Sequence, residues 1–302
     1  MHVHFVNLDR SKDRLAQFKA VNSHLTELTR IPAIEEHRID LEELTRQGLV
    51  KGDILSMYPI GSLCLALSEL SLWNKAIETG QPVTIANDDT IFNLKFEATA
   101  AEVIRSLPSD WDLILWGWNF DAFMIFDMLP GVSSCVCQFD QDKLRLNTRT
   151  FQELVISPRA HRLIWAFGNF CYTVSPKGAQ NLKSKCFPLQ PMLIPCPEGI
   201  RTLPRSLLYG NIGSDCTLNN FHRHLQSFVC FPPLVISKNE HATSTIQESG
   251  TGAVQRAKKP VVQASPEEIH ELSRQASELH QQQRFTEALA AFDKALILNP
   301  TI

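Results

Sequence analysis

No cysteine pair in this chain has the CxxC spacing, and its eight cysteines are scattered without the pattern of a zinc site. Isolated thiols in a chain of this size read as free, buried cysteines in a reducing compartment. Cys135 and Cys137 are the one close pair; two residues apart on a strand, they point the same way. Long hydrophobic runs are missing too, since none approaches the roughly 18 residues of a membrane-spanning helix. The opening Met1-His2-Val3-His4-Phe5-Val6 has neither the basic flank nor the long apolar core of a signal peptide, and reads as a strand that begins almost at once. Positive charge is not in excess: the formal net charge is −3, so no field favours nucleic-acid phosphates. These absences leave a cytoplasmic globular protein with no nucleic-acid partner and no membrane span.

What is present is ordinary in bulk and uneven in detail. A length of 302 residues, 44% hydrophobic and 20% charged, allows one large domain or two smaller ones. The informative stretch is Val83-Thr84-Ile85-Ala86-Asn87-Asp88-Asp89-Thr90-Ile91-Phe92. A short apolar run bounded by polar residues predicts a strand buried on both faces. It ends in three side chains with oxygen ligands. Adjacent carboxylates repel, and each favours a nearby cation. Such a tip suits an oxygen-loving divalent metal, Mg or Mn. Asn and Asp also favour turns, so a solvated turn is the alternative.

Around it the pattern alternates strands and helices. Residues 2–8 read as a strand, then a helix with Ser11 as N-cap and Leu15, Phe18 and Val21 on one face. Arg10, Lys12 and Arg14 cluster at that first strand-to-helix turn, where doubly wound folds commonly receive phosphate. Residues 28–34 suggest a weak strand, 35–48 a polar helix closed by Gly48, and 51–60 a loop. Leu63, Ala66, Leu67, Leu70, Trp73 and Ile77 follow helical spacing from near Gly61-Ser62 to Gly80, and Pro82 prevents continuation. Residues 94–107 form another amphipathic helix and 111–116 a third buried strand. Residues 132–139, 144–146 and 151–156 read as short strands, whereas 121–130 carry no clear pattern. A strand ending at Val174 leads to Ser175-Pro176, an N-cap followed by proline at the first helical position. Five prolines mark 188–204 as loop, Gly210 to Gly213 is a flexible approach to Asp215, and 228–236 is a late apolar segment broken by Pro232-Pro233. Residues 248–264 read as a linker. Ser265-Pro266-Glu267-Glu268 is a capping box that opens a helix pair over 265–302.

Four pieces form an ordered series: Phe5-Val6-Asn7-Leu8-Asp9-Arg10 with Arg14; Gly61-Ser62-Leu63-Cys64-Leu65-Ala66-Leu67-Ser68-Glu69-Leu70; Asn87-Asp88-Asp89; and Tyr172-Thr173-Val174-Ser175-Pro176-Lys177-Gly178-Ala179. In that order and spacing they resemble glycosyltransferase family 25, which includes lipopolysaccharide-type and collagen galactosyltransferases. The resemblance runs over about residues 1–247, to the closing Ser244-Thr245-Ile246. It implies an α/β fold of the GT-A type, with a Rossmann-like nucleotide-sugar-binding sheet, a UDP-linked donor, a glycan or glycoprotein acceptor, and Mn2+ or Mg2+. Carried over by position, Asp88 and Asp89, with Asn87, are the metal residues. Asn7, Arg10, Arg14, Ser62 and Ser68 are the substrate-binding positions. Asp215 is the acidic residue of the acceptor half and the expected base of an inverting transfer, with a helix N-cap before Thr217 as the alternative. His222 and His241 are candidate third metal ligands, against the commoner reading as surface histidines.

Two departures stand out. Asn87 replaces the family's usual Glu, and Glu69 its usual His after Ala-Leu-Ser. Loss of one ligand charge leaves a second reading open, a catalytically quiet binding module. An aspartyl phosphatase fits poorly, because it needs Asp-x-Asp directly after the first strand of its domain. Ala276, Phe285, Ala288, Phe292, Ala295 and Pro300 make 265–302 resemble a single tetratricopeptide repeat. One repeat cannot bury its own apolar face, so it is expected to dock on the catalytic domain, another copy, further repeats or a partner protein.

Overall fold

The computed structural model describes residues 1–197, 208–238 and Arg274. The chain divides into two compact units, Met1–Thr251 and Gly252–Ile302. The expected linker, the helical hairpin and His241 lie outside the described residues, Arg274 apart.

The first unit opens with β1 (Val3–Asn7), α1 (Lys12–Val21), β2 (Leu28–Pro32) and the short helix α2 (Leu41–Arg46). All five residues of β1 are buried, as expected for a strand covered on both faces. The single polar helix expected over 35–48 is instead a 3-10 turn, Glu36–Arg38, and a separate α2. Asp40 divides them: its carboxylate accepts from Glu42 N and Glu43 N and so starts a new helix. The loop expected at 51–60 contains one 3-10 turn, Ile54–Ser56.

Helix α3 (Ile60–Thr79) follows, then β3 (Val83–Asn87), β4 (Thr90–Phe92) and α4 (Phe96–Arg105). Gly80 closes α3 at φ +64°, a left-handed conformation that costs glycine little. Beyond lie β5 (Leu113–Gly117), β6 (Met124–Leu129), β7 (Ser133–Cys137), α5 (Gln141–Leu146) and α6 (Thr148–Glu153). The strand expected at 144–146 is therefore helix, and the one expected at 151–156 is the end of α6 followed by irregular chain. Asp140 caps α5 by accepting from Lys143 N, and Gln152 of α6 donates to Val21 O and Phe92 O. Short apolar runs do not reveal their own period, and these tertiary bonds decide it.

The unit ends with β8 (Arg159–Trp165), β9 (Cys171–Val174), α7 (Pro176–Cys186), β10 (Leu193–Pro195), β11 (Leu208–Gly210), α8 (Ser214–Asn219), β12 (Ser227–Phe231) and β13 (Val235–Ser237). The stretch expected as a proline-rich loop holds β10, which pairs with β11. Ser175 caps α7 as expected, its hydroxyl accepting from Gly178 N at 2.9 Å.

Nine strands form one mixed sheet in the order β2-β1-β3-β9-β5-β12-β8-β6-β7. Strands β2, β1, β3, β5, β12 and β6 run one way and β9, β8 and β7 the other. Helices α3 and α7 pack together on one face, where Trp73 Nε1 donates to the Tyr172 hydroxyl of β9 at 2.8 Å. On the other face a chain of edge-on rings joins Phe18 of α1 to Phe92, Phe96 of α4 and Trp116 of β5. All eight cysteines are free thiols, six of them buried. Among the described residues no helix is long and apolar enough to cross a membrane.

Candidate active site

Parallel strands β1 and β3 are register partners, with Val6 beside Asn87. Their carboxyl ends therefore sit side by side, where open α/β sheets bind ligands. Asn7 Nδ2 donates to Asp88 Oδ2 at 2.6 Å, and the Arg14 guanidinium pairs with Asp88 Oδ1. Arg30 of β2 donates from Nε to Asn7 Oδ1 at 2.9 Å, which turns the Asn7 amide nitrogen toward Asp88. The same guanidinium reaches Asp9. Burial pushes the Asp88 carboxyl above its ordinary range; Arg14 and Asn7 pull it back, and Asp89 pushes it further up.

Asp89 is exposed and accepts from the Ser237 hydroxyl at 2.8 Å. That contact exists because β13 pairs with β4, aligning Ser237 with Thr90. Asn87 is half-buried; its N–H donates to Phe170 O at 2.8 Å, and its carbonyl accepts from Thr90 Oγ1.

Phe170 belongs to the segment Gly168-Asn169-Phe170 that leads into β9. Gly168 sits at φ +75°, and a Cβ there would fall 2.3 Å from Asn119 Oδ1, so only glycine fits. Its N–H donates to Asp215 Oδ2 at 2.7 Å. Asn169 is buried; its Nδ2 donates to Glu69 Oε1 at 2.9 Å and lies 3.1 Å from Ser214 Oγ. One three-residue segment thus touches the acidic tip at Asn87 and the carboxylate of Asp215.

Glu69 lies on α3 and is only 1% exposed; its Oε2 makes no hydrogen bond. Burial pushes its carboxyl up to about 8. The Ser214 hydroxyl pulls down, and the Asp215 charge pushes further up. The Tyr58 hydroxyl, also wholly buried and without a hydrogen bond, is raised well above its ordinary range by burial and then by the charges of Asp215 and Glu69.

The other expected positions scatter. Arg10 pairs with Glu35 at 2.8 Å rather than with Asp88. Ser68 accepts from Ile34 N at 2.9 Å and donates to Cys64 O, fixing the segment after β2 to α3. Ser62 is buried in the first turn of α3. Asp215 is half-buried in the first turn of α8, whose N-cap is Gly213. His222 is not a surface residue: it is buried beside the Ser227 hydroxyl, and burial lowers it to about 3. Among the described residues no group of three or more His, Cys, Asp or Glu is placed to hold a metal. Sequence reasoning missed Arg30, Ser237 and Asn169. Only the β2 register could have flagged Arg30, and nothing local flags the other two.

Whether Mn2+ or Mg2+ fits here turns on the donor set. Both Asp88 oxygens are already engaged by Asn7 and Arg14. Asp89 is exposed with a single hydrogen bond, and Asn87 adds a neutral amide. Mg2+ is commonly bound through one or two carboxylates, the rest of its shell being substrate phosphate and water. The tip fits that mode, with Asp89 as the carboxylate.

Two recesses border this geometry differently. A cavity of about 400 Å3, lined by Met1, His2, Pro82, Glu97 and Ile104 among others, lies at the amino ends of β1 and β3, away from the carboxylates. A polar recess of about 340 Å3 lies between Asp121, Gln138 and α5. There Gln141 and Arg145 donate to Lys238 O, next in sequence to the Ser237 that holds Asp89.

A family model described as "Glycosyltransferase family 25 (LPS biosynthesis protein)" matches residues 1–188. The matched segment holds Asn7, Arg14, Glu69 and the acidic tip, and ends before Asp215. No curated protein matches the chain. Among solved structures it is similar to the crystal structure of A197 from STIV at 9% identity, over 78% of this chain and 83% of that chain, with a TM-score of 0.33.

Proposed function

This chain belongs to glycosyltransferase family 25, and we propose that it moves a hexose from a UDP-sugar to a glycan or protein-linked acceptor on a GT-A type sheet. The observation that carries this reading is the Asn7–Asp88–Arg14 cluster at the adjoining ends of β1 and β3, with exposed Asp89 one residue on. Two parallel strand ends, one cation and one outward carboxylate are what a nucleoside diphosphate and its divalent ion require.

Asp89, oriented by Ser237, would hold Mn2+ or Mg2+, with Asn87 as a neutral neighbour. Bound there, the ion would neutralise charge on the departing nucleoside diphosphate. Asp88 keeps Arg14 at the strand ends, so the guanidinium faces the nucleotide side as a fixed donor. Asn7, oriented by Arg30, completes that side. Arg10, spent on Glu35, contributes through the loop it steadies. On the acceptor side, the Asp215 carboxylate takes the proton from the attacking hydroxyl as that oxygen bonds to the anomeric carbon and the carbon–phosphate oxygen bond breaks. One displacement inverts the anomeric centre.

Melting temperature in the presence of UDP-hexoses, with and without Mn2+, tests the donor side, because a ligand that binds only the folded form raises it. Stabilisation by a UDP-sugar that grows with Mn2+ is expected. Asp89→Ala should remove the Mn2+-dependent part and lower transfer about a hundredfold or more, the scale of one lost transition-state contact. A variant that kept both would refute the metal assignment. Donor binding without transfer to any glycan would favour the quiet binding module.

A further inference from the structure

We propose that Glu69 is a positioning residue for Asp215, acting through Asn169 and the Gly168 amide. The inference rests on the reading of Asp215 as the acceptor-side base, and it assigns work to a side chain that replaces the histidine usual in the family.

The connection is short and continuous. Glu69 Oε1 accepts from Asn169 Nδ2 at 2.9 Å. Asn169 also meets Ser214, the residue before Asp215, through Nδ2 at 3.1 Å and through Oδ1 at 3.4 Å. Its neighbour Gly168 gives its N–H to Asp215 Oδ2 at 2.7 Å. Glu69 therefore fixes one side chain that constrains Asp215 from both directions, along α8 and along the 168–170 segment. The segment has little slack, because Gly168 abuts Asn119 and Asn119 N donates to Phe167 O at 2.8 Å.

A purely structural role accounts poorly for the composition of this spot. Burying a carboxyl with one oxygen unpartnered is costly, and an apolar residue would fill α3 more cheaply. Two buried oxygens, Glu69 Oε2 and the Tyr58 hydroxyl, are left without hydrogen bonds here. The titratable groups facing Glu69 are Tyr172 from β9, Cys186 from α7, Tyr58 from the turn before α3 and Asp215 from α8. With Glu69 held up near 8 by burial, its carboxyl keeps its proton at neutral pH and sets no charge beside Asp215. Above that pH a charge would appear beside it.

The Gly168 amide reports on Asp215 directly, so its 15N chemical shift can be followed against pH whether or not the protein turns over. In the wild type this shift should titrate with Asp215 and show a further inflection near pH 8. Glu69→Gln keeps an oxygen acceptor for Asn169 but cannot ionise; it should erase the upper inflection and keep transfer within about threefold at pH 7. Glu69→Leu removes the acceptor; it should move the Asp215 midpoint and lower kcat about tenfold or more, with the KM for the UDP-sugar within about threefold. In an Asp215→Asn background, Glu69→Leu should cost nothing further, as expected for residues acting as a unit.

Equal costs of Glu69→Leu in the two backgrounds would overturn the proposal. So would an unmoved Gly168 titration in Glu69→Gln, which decides the matter even if the leucine variant does not fold. If the wild type transfers no sugar but the Gly168 shift still follows Glu69, the glycosyltransferase mechanism falls and the coupling stands.

Discussion

Glu69 illustrates how far one side chain can depart from what its position in the sequence announces. A glutamate in the middle of an apolar helix looks like a solvated intrusion, yet Glu69 is buried against Asn169. Its proton affinity has a consequence for stability. The folded protein keeps a proton on Glu69 up to about pH 8, while the unfolded chain releases it near 4.5. Between those values the native state binds more protons, so stability falls as pH rises. His4 and His222 act oppositely, being lowered to about 4 and about 3, but their contribution is complete once pH exceeds 6.5. The melting temperature should therefore decline between about pH 6.5 and 8, and Glu69→Gln should flatten that decline. A wild-type curve that stayed level across the window would show that Glu69 ionises normally.

At the scale of elements, the legible parts were those whose signals are local. Strands β1, β3 and β5 are nearly continuous apolar runs because both faces are covered. Helix α3 carries its 3.6-residue period and its terminal glycine, and α7 its Ser-Pro start. Strand β8 escaped reading because Arg159, His161 and Arg162 break any apolar alternation; its place between β12 and β6 makes it a strand. The acidic tip was legible as a strand end carrying Asn87, Asp88 and Asp89, but its ion pair with Arg14 and its tether to Ser237 depend on register between distant strands. Two variants probe these devices. Ser175→Ala removes the α7 cap and also the bond from Ser175 Oγ to Trp111 O, and should cost about 1–2 kcal/mol in chemical denaturation. Ser237→Ala should weaken the Mn2+-dependent stabilisation by UDP-sugar, beyond any change in the melting temperature of the free protein. An unaltered Mn2+ response would mean that Asp89 needs no orientation from β13.

On the scale of the whole molecule, the first unit has a continuous core of its own, running from Val3 to Ile236. A chain ending at Thr251 should therefore unfold in one cooperative transition, with a midpoint within a few degrees of that unit's transition in the full chain. A broad, non-cooperative melt would show that the first unit needs residues 252–302. The second unit's resemblance to a tetratricopeptide repeat rests on the positions of Ala276, Phe285, Ala288, Phe292, Ala295 and Pro300 in the sequence.

The sheet order also sets a timetable. Strand β12 is the last to join the large sheet, yet it lies inside it, between β5 and β8. The Asp89–Ser237 contact likewise joins residues 148 positions apart. A growing chain that has emerged only as far as residue 188, where the family match ends, has β5 and β8 with no strand between them. Unpaired edges of this kind invite association with other chains. Long-range pairings of this kind also form slowly, because loop closure must precede them. The proposed catalytic edge is thus among the last features to form, and a ribosome stalled before residue 231 should hold a nascent chain prone to aggregation and unable to bind nucleotide. Releasing chains of increasing length and assaying each for UDP-sugar binding should reveal one threshold, after Ser237.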